Sequence, residues 1–245
     1  MENKLDSILI FGFFGFYREG HKYSYNFDIK SSIYNKYIYS PTIINEDTNN
    51  KLHSEDLIEK FGDNVNIKLY EYDKEKHITK SKLYCEDKFI NQWYQQAYRI
   101  FSFFYNIKGV SQLIKDHNYN ENDIIILSRI DIGLSIVNIE QLTLLLDKND
   151  VIVTHLENNC VDDKLFIFKY KYIDVFIKLY DDYGGYITKI KSNDPDSPVS
   201  TRPEDIFFYH FIKNNLKIES SNLINYQFEH VCSKYCGHNE ENTMI

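Results

Sequence analysis

The segment that most constrains this chain is Asp123 to Asp131, Asp-Ile-Ile-Ile-Leu-Ser-Arg-Ile-Asp. Four apolar residues, Ile124 to Leu127, mostly β-branched and bounded by polar ones, fit a strand buried on both faces. Such strands belong inside a parallel sheet, so the chain is expected to be α/β. The C-terminal end of this strand carries Arg129 and Asp131, and ligands of open α/β sheets collect outside the carboxyl ends of the strands. A cation and a carboxylate two residues apart at that edge suit a polyphosphate and metal site, or else an edge salt bridge.

A length of 245 residues suits one domain with a substantial core. The net charge of −8 is spread along the chain, which argues against wholesale binding to nucleic acid. Residues Met1 to Ser7 are polar, and no apolar run approaches the roughly 18 residues of a membrane span. Four cysteines, at 85, 160, 232 and 236, are too few for a disulfide framework. The expectation is a cytoplasmic protein. Ile, Asn, Lys and Tyr are abundant and there are only 4 Pro, the bias of an AT-rich genome, so the Tyr34 to Tyr39 tract is discounted as a binding stripe.

Along the chain, Ser7 to Phe14 reads as a first strand, with Gly12 and Gly15 at or just past its end, where backbone can approach a ligand, and Arg18 close behind. Tyr37 to Pro41 and Val65 to Tyr72 read as strands around a short helix, Glu55 to Phe61. Ile90 to Tyr105 has helical apolar spacing, with a second helical piece near Val110 to Lys115. Ile139 to Leu146 reads as helix, Val151 to His155 as strand, Glu157 to Val161 as a polar loop and Lys164 to Phe168 as strand. A helix from Tyr172 to Tyr183 is expected to stop at Gly184-Gly185. A polar stretch from Lys189 to Pro203 leads into a last helix, with Pro203 at its first position and Glu204 and Asp205 in its first turn.

The first strand with Gly12 and Arg18, the aromatic helix, the strand ending in Arg-x-Asp, the Asp-Lys-Leu-Phe-Ile segment Asp163 to Ile167, and Pro-Glu-Asp-Ile at Pro203 to Ile206 resemble, in order and spacing, small GT-A glycosyltransferases of the capsule, lipopolysaccharide and giant-virus type. The resemblance covers roughly Ile8 to Ile218. It implies a single GT-A-like domain over 1–245, with a Rossmann-like, mostly parallel central sheet flanked by helices. Residues 1–115 would be the nucleotide-binding half and 116–245 the metal and acceptor half. The implied activity is transfer of a sugar from a nucleotide-sugar donor to a glycan or related acceptor, in a host cytoplasm if the chain is viral.

The same resemblance distributes roles. In that fold an Asp-x-Asp motif binds metal and donor; here Arg129 takes the first place and Asp131 is the matching carboxylate. The implied cation is Mn2+ or Mg2+, held by Asp131 with His230 or His238 as a further ligand, and supplemented or replaced by Arg129 or Arg18. Gly12, Arg18, Gln95, Gln96 and Arg129 fall to the donor. Glu204 or Asp205 is the favoured base for the acceptor hydroxyl, and Asp163 a sugar contact.

Blander readings accompany each. Acids in a first helical turn answer the helix dipole, Asp162 and Asp163 suit a turn, and Trp93 and Tyr94 fit core periodicity. The segment His230-Val231-Cys232-Ser233-Lys234-Tyr235-Cys236-Gly237-His238 holds four potential zinc ligands, though so short a span strains the backbone. A catalytically silent nucleotide-sugar or glycan-binding module of the same fold is the alternative function.

Overall fold

The computed structural model describes residues 8–18, 24–44, 50–84 and 90–227, with no side-chain description for 90–97, 225 and 227. Its centre is a seven-stranded sheet of β1 (Leu9–Phe14), β2 (Asn35–Pro41), β3 (Val65–Tyr70), β4 (Ile124–Arg129), β6 (Val151–Val153), β9 (Leu165–Lys169) and β10 (Ile218–Ser220). The spatial order is β10-β6-β9-β4-β1-β2-β3. All pairings are parallel except those of β9, which runs against β4 and β6. Two small ribbons complete the strands: β5 (Gly133–Ile136) with β11 (Ile224–Gln227), and β7 (Leu156–Glu157) with β8 (Cys160–Val161).

The Ile124–Leu127 run occupies the middle strand, as its composition requires. Period-two alternation sends Ile125 and Leu127 to one face and Ile124 and Ile126 to the other, and all four are buried. On the first face lie α3 (Ile90–Lys115), α5 (Ile173–Lys191) and α6 (Pro203–Lys213), which bury Phe104, Phe176 and Phe207 against the sheet. On the other lie α1 (Ser54–Phe61) and α4 (Ile139–Leu146), contributing Leu57, Phe61, Leu142 and Leu146. Each such side chain, fully buried, contributes about 1.5–3 kcal/mol of transfer free energy, so the two layers rather than helix propensity hold the elements in place.

Some elements differ from the sequence expectation. One continuous helix, α3, replaces the two expected pieces. Helix α5 runs through Gly184-Gly185 to Lys191, burying Tyr183, Tyr186 and Ile187 on either side of the pair, and Gly184 is where α5 meets the ring of Tyr84; a Cβ there would come within 2.2 Å of it. The expected Glu157–Val161 loop is the tip of the β7-β8 ribbon, turned by Asn158 and Asn159 at positive φ. Helix α2 (Lys74–Lys82) had no counterpart in the sequence reading. Gly12 lies inside β1, not at its end. A Cβ on it would approach Ile114 Cδ1 at 2.9 Å and Leu127 Cδ1 at 3.0 Å, so its small size serves the close packing of α3 on the sheet.

The chain order reverses between β1 and β4. From β1 the sheet continues through β2 and β3 on one side, and β4 lies on the other, parallel and in register, with Phe14 opposite Arg129. Their carboxyl ends therefore open together at a topological switch point, where open α/β sheets leave a crevice.

Candidate active site

The two segments leaving this switch point are Gly15 to Arg18 and Ile130 to Asp131. The Ile130 N–H donates to the Phe14 carbonyl at 2.9 Å and the Arg129 N–H to the Lys164 carbonyl at 3.0 Å, so the ends of β1, β4 and the turn before β9 are tied together. Gly15 takes φ +95°, a value that suits glycine, and its carbonyl accepts from Ser40 Oγ at 2.8 Å.

At the end of β4 the Arg129 side chain turns onto Asp131. Nε donates to Oδ1 at 2.9 Å and Nη2 to Oδ2 at 2.6 Å, a two-pronged fork on a carboxylate that is almost wholly buried. Burial works against the guanidinium charge, but Asp131, and behind it Asp163 and Asp162, raise its proton affinity above the ordinary value.

The turn before β9 supplies the next acids. Asp162 accepts from Thr154 Oγ1 at 2.7 Å, from the Lys164 backbone at 3.1 Å and from Lys164 Nζ at 2.9 Å. Burial alone would raise Asp162, but hydrogen bonds from Tyr226 and Thr154 and the charge of Lys164 bring it below its usual range. It is a structural junction between β6, β9 and β11. Asp163 contacts Lys164 Nζ at 3.4 Å and lies within electrostatic reach of both Arg129 and Glu204.

Helix α6 brings the two first-turn acids to this edge with different fates. Asp205 is buried; Arg202 grips it through Nε at 3.1 Å and Nη2 at 3.2 Å, and the Ser200 hydroxyl donates to it as well. Asp205 thus fastens the segment leading into α6. Glu204 is half-buried, and burial first, then the Asp163 charge, raises its carboxyl above the ordinary glutamate value, with Arg202 and Lys164 pulling the other way. Asp163 thus links the Arg129-Asp131 pair to Glu204, as their spacing in the sequence did not by itself require.

The other expected site residues make no contact with this group among the described residues. Arg18 is exposed, with its guanidinium 5.9 Å from the Phe16 ring centre. Gln95 and Gln96 lie on the first turns of α3, where side chains are not described, and His230, Cys232, Cys236 and His238 lie outside the described residues. Among the described residues no group of three His, Cys, Asp or Glu side chains is arranged to hold a metal ion, and Asp131 spends both its oxygens on Arg129. Among the described residues, that donor set does not fit a resident Mn2+ or Mg2+.

Sequence reasoning missed Lys60, in the last turn of α1. Its ammonium sits 5.6, 5.5 and 5.7 Å from the ring centres of Tyr17, Tyr25 and Phe61, within electrostatic reach of Asp131. A basic residue in a last helical turn carries no signal beyond the helix dipole.

No family model matches the sequence, and no curated protein does. Solved structures similar in shape include mouse xyloside xylosyltransferase 1 in its apo form, at 10% identity over 88% of this chain and 84% of that one, with a TM-score of 0.43. Another is the PaToxG glycosyltransferase, at 14% identity over 84% of this chain and 67% of that one, with a TM-score of 0.35. Likenesses this loose carry no argument about chemistry.

Proposed function

We propose that the protein is a glycosyltransferase that moves a sugar from a nucleotide-sugar donor to a glycan or related acceptor. The observation that carries this reading is the Arg129-Asp131 pair at the β1/β4 switch point, with Asp163 within electrostatic reach of Arg129 on one side and of Glu204 on the other. The order of motifs from the first strand to Pro203-Glu204-Asp205-Ile206, which resembles GT-A enzymes, supports it.

In this reading the acceptor hydroxyl oxygen forms a bond to the anomeric carbon of the donor sugar. The bond from that carbon to the phosphate oxygen breaks, and its electron pair leaves with the nucleoside diphosphate. In an inverting transfer Glu204 takes the hydroxyl proton. A carboxylate with raised proton affinity does this better than an ordinary one, and Asp163 helps to supply that raise. Asp205, engaged by Arg202 and Ser200, is the weaker candidate for base and acts by positioning α6. Arg129 and Asp131 flank the diphosphate end of the donor.

A second reading, a silent nucleotide-sugar or glycan-binding module, is favoured by one observation: both Asp131 oxygens already accept from Arg129. Donor cleavage separates the two. Release of nucleoside diphosphate from a matching donor, lost in Glu204→Gln when acceptor is present, supports transfer; tight donor binding without release supports the module.

A further inference from the structure

Between α1 and the segment after β1 lies an open cleft of about 740 Å³, and Lys60 in its wall is within electrostatic reach of Asp131. Tyr17, from the segment after β1, and Tyr25 form part of its wall with the stem of Lys60, and Lys30, Lys51 and His53 line it against the acids Asp56 and Glu59. Of those acids, Asp56 already accepts from the His53 backbone N–H at 2.9 Å.

Two polar groups of this wall are buried without a hydrogen-bond partner among the described residues: the Lys60 ammonium and the Tyr25 hydroxyl. Lys36 shows what a settled buried lysine looks like in the same fold, donating to the carbonyls of Ile29 at 3.0 Å and Ser31 at 3.1 Å. An orphaned buried ammonium costs free energy unless something else completes it, and an unsatisfied group in a folded protein calls for a reason. The aromatic rings around Lys60 return part of that cost but accept no hydrogen bond of ordinary strength. Charge and the missing acceptors point to the same ligand, an oxyanion.

We propose that this cleft seats the diphosphate of the donor, and that the Lys60 ammonium, swung toward the cleft on its flexible stem with the Tyr25 hydroxyl beside it, meets the diphosphate charge in place of a divalent cation. The proposal rests on the transferase reading for the identity of the ligand that carries the diphosphate. It accounts for Asp131 lacking the partners of a metal site: the carboxylate is held by Arg129, and the positive charge needed for the leaving group comes from α1. A lysine is suited to this, since its ammonium is a compact charge with three donors.

The test uses the full chain and inorganic pyrophosphate as the probe, titrated by calorimetry in EDTA. Wild type binds pyrophosphate without metal. Lys60→Met, which keeps the apolar stem, binds about 10- to 100-fold more weakly, the worth of a charged hydrogen bond, and Lys60→Arg recovers part of the loss. Tyr25→Phe, which removes the second orphaned donor and keeps the ring, also binds pyrophosphate more weakly in EDTA, which tests the site without touching Lys60. No binding in EDTA, or undiminished binding by Lys60→Met, overturns the proposal. If pyrophosphate binds through Lys60 but no nucleotide sugar is cleaved, the transferase reading fails and the oxyanion site stands. If donors are cleaved only with Mn2+ and Lys60→Met cleaves them as wild type does, the transferase reading stands and this proposal fails.

Discussion

Arg129 closes a two-pronged hydrogen bond on Asp131, two residues further along, with the carboxylate side chain 6% exposed and the guanidinium side chain 17%. A pair so placed is neutral as a unit, but neither member is tolerated alone. Removing one partner of a buried ion pair costs about 3–5 kcal/mol, because the other charge stays in low dielectric. Arg129→Ala should lose stability of that order in denaturant unfolding. Arg129→Lys keeps the charge but not the fork, so it should fall between Arg129→Ala and wild type, with weakened donor binding. Full stability of Arg129→Ala would mean that the pair does not organise the end of β4.

The two acids of the first turn of α6 should separate by readout. Glu204→Gln keeps the shape and loses the proton acceptor. Turnover should drop by roughly 10²-fold or more with donor affinity and melting temperature nearly unchanged. Asp205→Asn weakens the contact to Arg202 and Ser200, so its main effect should be a lower melting temperature. The opposite assignment of effects would move the base to Asp205. The stereochemistry of the product has to be established first, since a retaining transfer needs no base placed for in-line attack.

The ammonium of Lys60 gives a pH signature in the free protein. Burial lowers it from 10.5 to about 8, against the attraction of Asp131. Between those values the unfolded chain holds more protons at this position than the folded one, so stability must rise with pH across that window. The stability difference between wild type and Lys60→Met should therefore shift in favour of wild type from pH 8 to pH 10.5. Below pH 8 the buried charge is present in full, and Lys60→Met should be the more stable protein. A pH-independent difference would place the ammonium in solvent.

The helices that could be read from sequence were those whose apolar spacing and end signals agreed with their packing. Ile139–Leu146 matches its expected bounds, and Pro203 opens α6 where its fixed φ suits a first helical position. Helix α2, Lys-Glu-Lys-His-Ile-Thr-Lys-Ser-Lys, buries only His77, Ile78 and Ser81, so it offers no apolar stripe to read. In α5 a strong local stop signal, Gly184-Gly185, is overruled by the burial of Tyr183, Tyr186 and Ile187 on either side of it, and at Gly184 the ring of Tyr84 packs where a Cβ would stand. The pairing of Arg129 with Asp131 was legible, since the two stand two residues apart at the end of β4. The closeness of Asp163 to Glu204, and of Lys60 to Tyr17 and Tyr25, depends on elements distant in sequence meeting at one edge of the sheet. Pairwise spacing cannot encode that.

The central claim is sugar transfer, and the most direct measurement is release of nucleoside diphosphate from a panel of UDP- and GDP-sugars, run with EDTA or Mn2+ and with or without candidate acceptors. The account predicts that at least one donor is cleaved in EDTA, slowly alone and faster with a matching acceptor, and that Glu204→Gln abolishes the acceptor-stimulated part. Donors that bind, as seen by a rise in melting temperature, but are not cleaved under any of these conditions would contradict it and leave a binding module in its place.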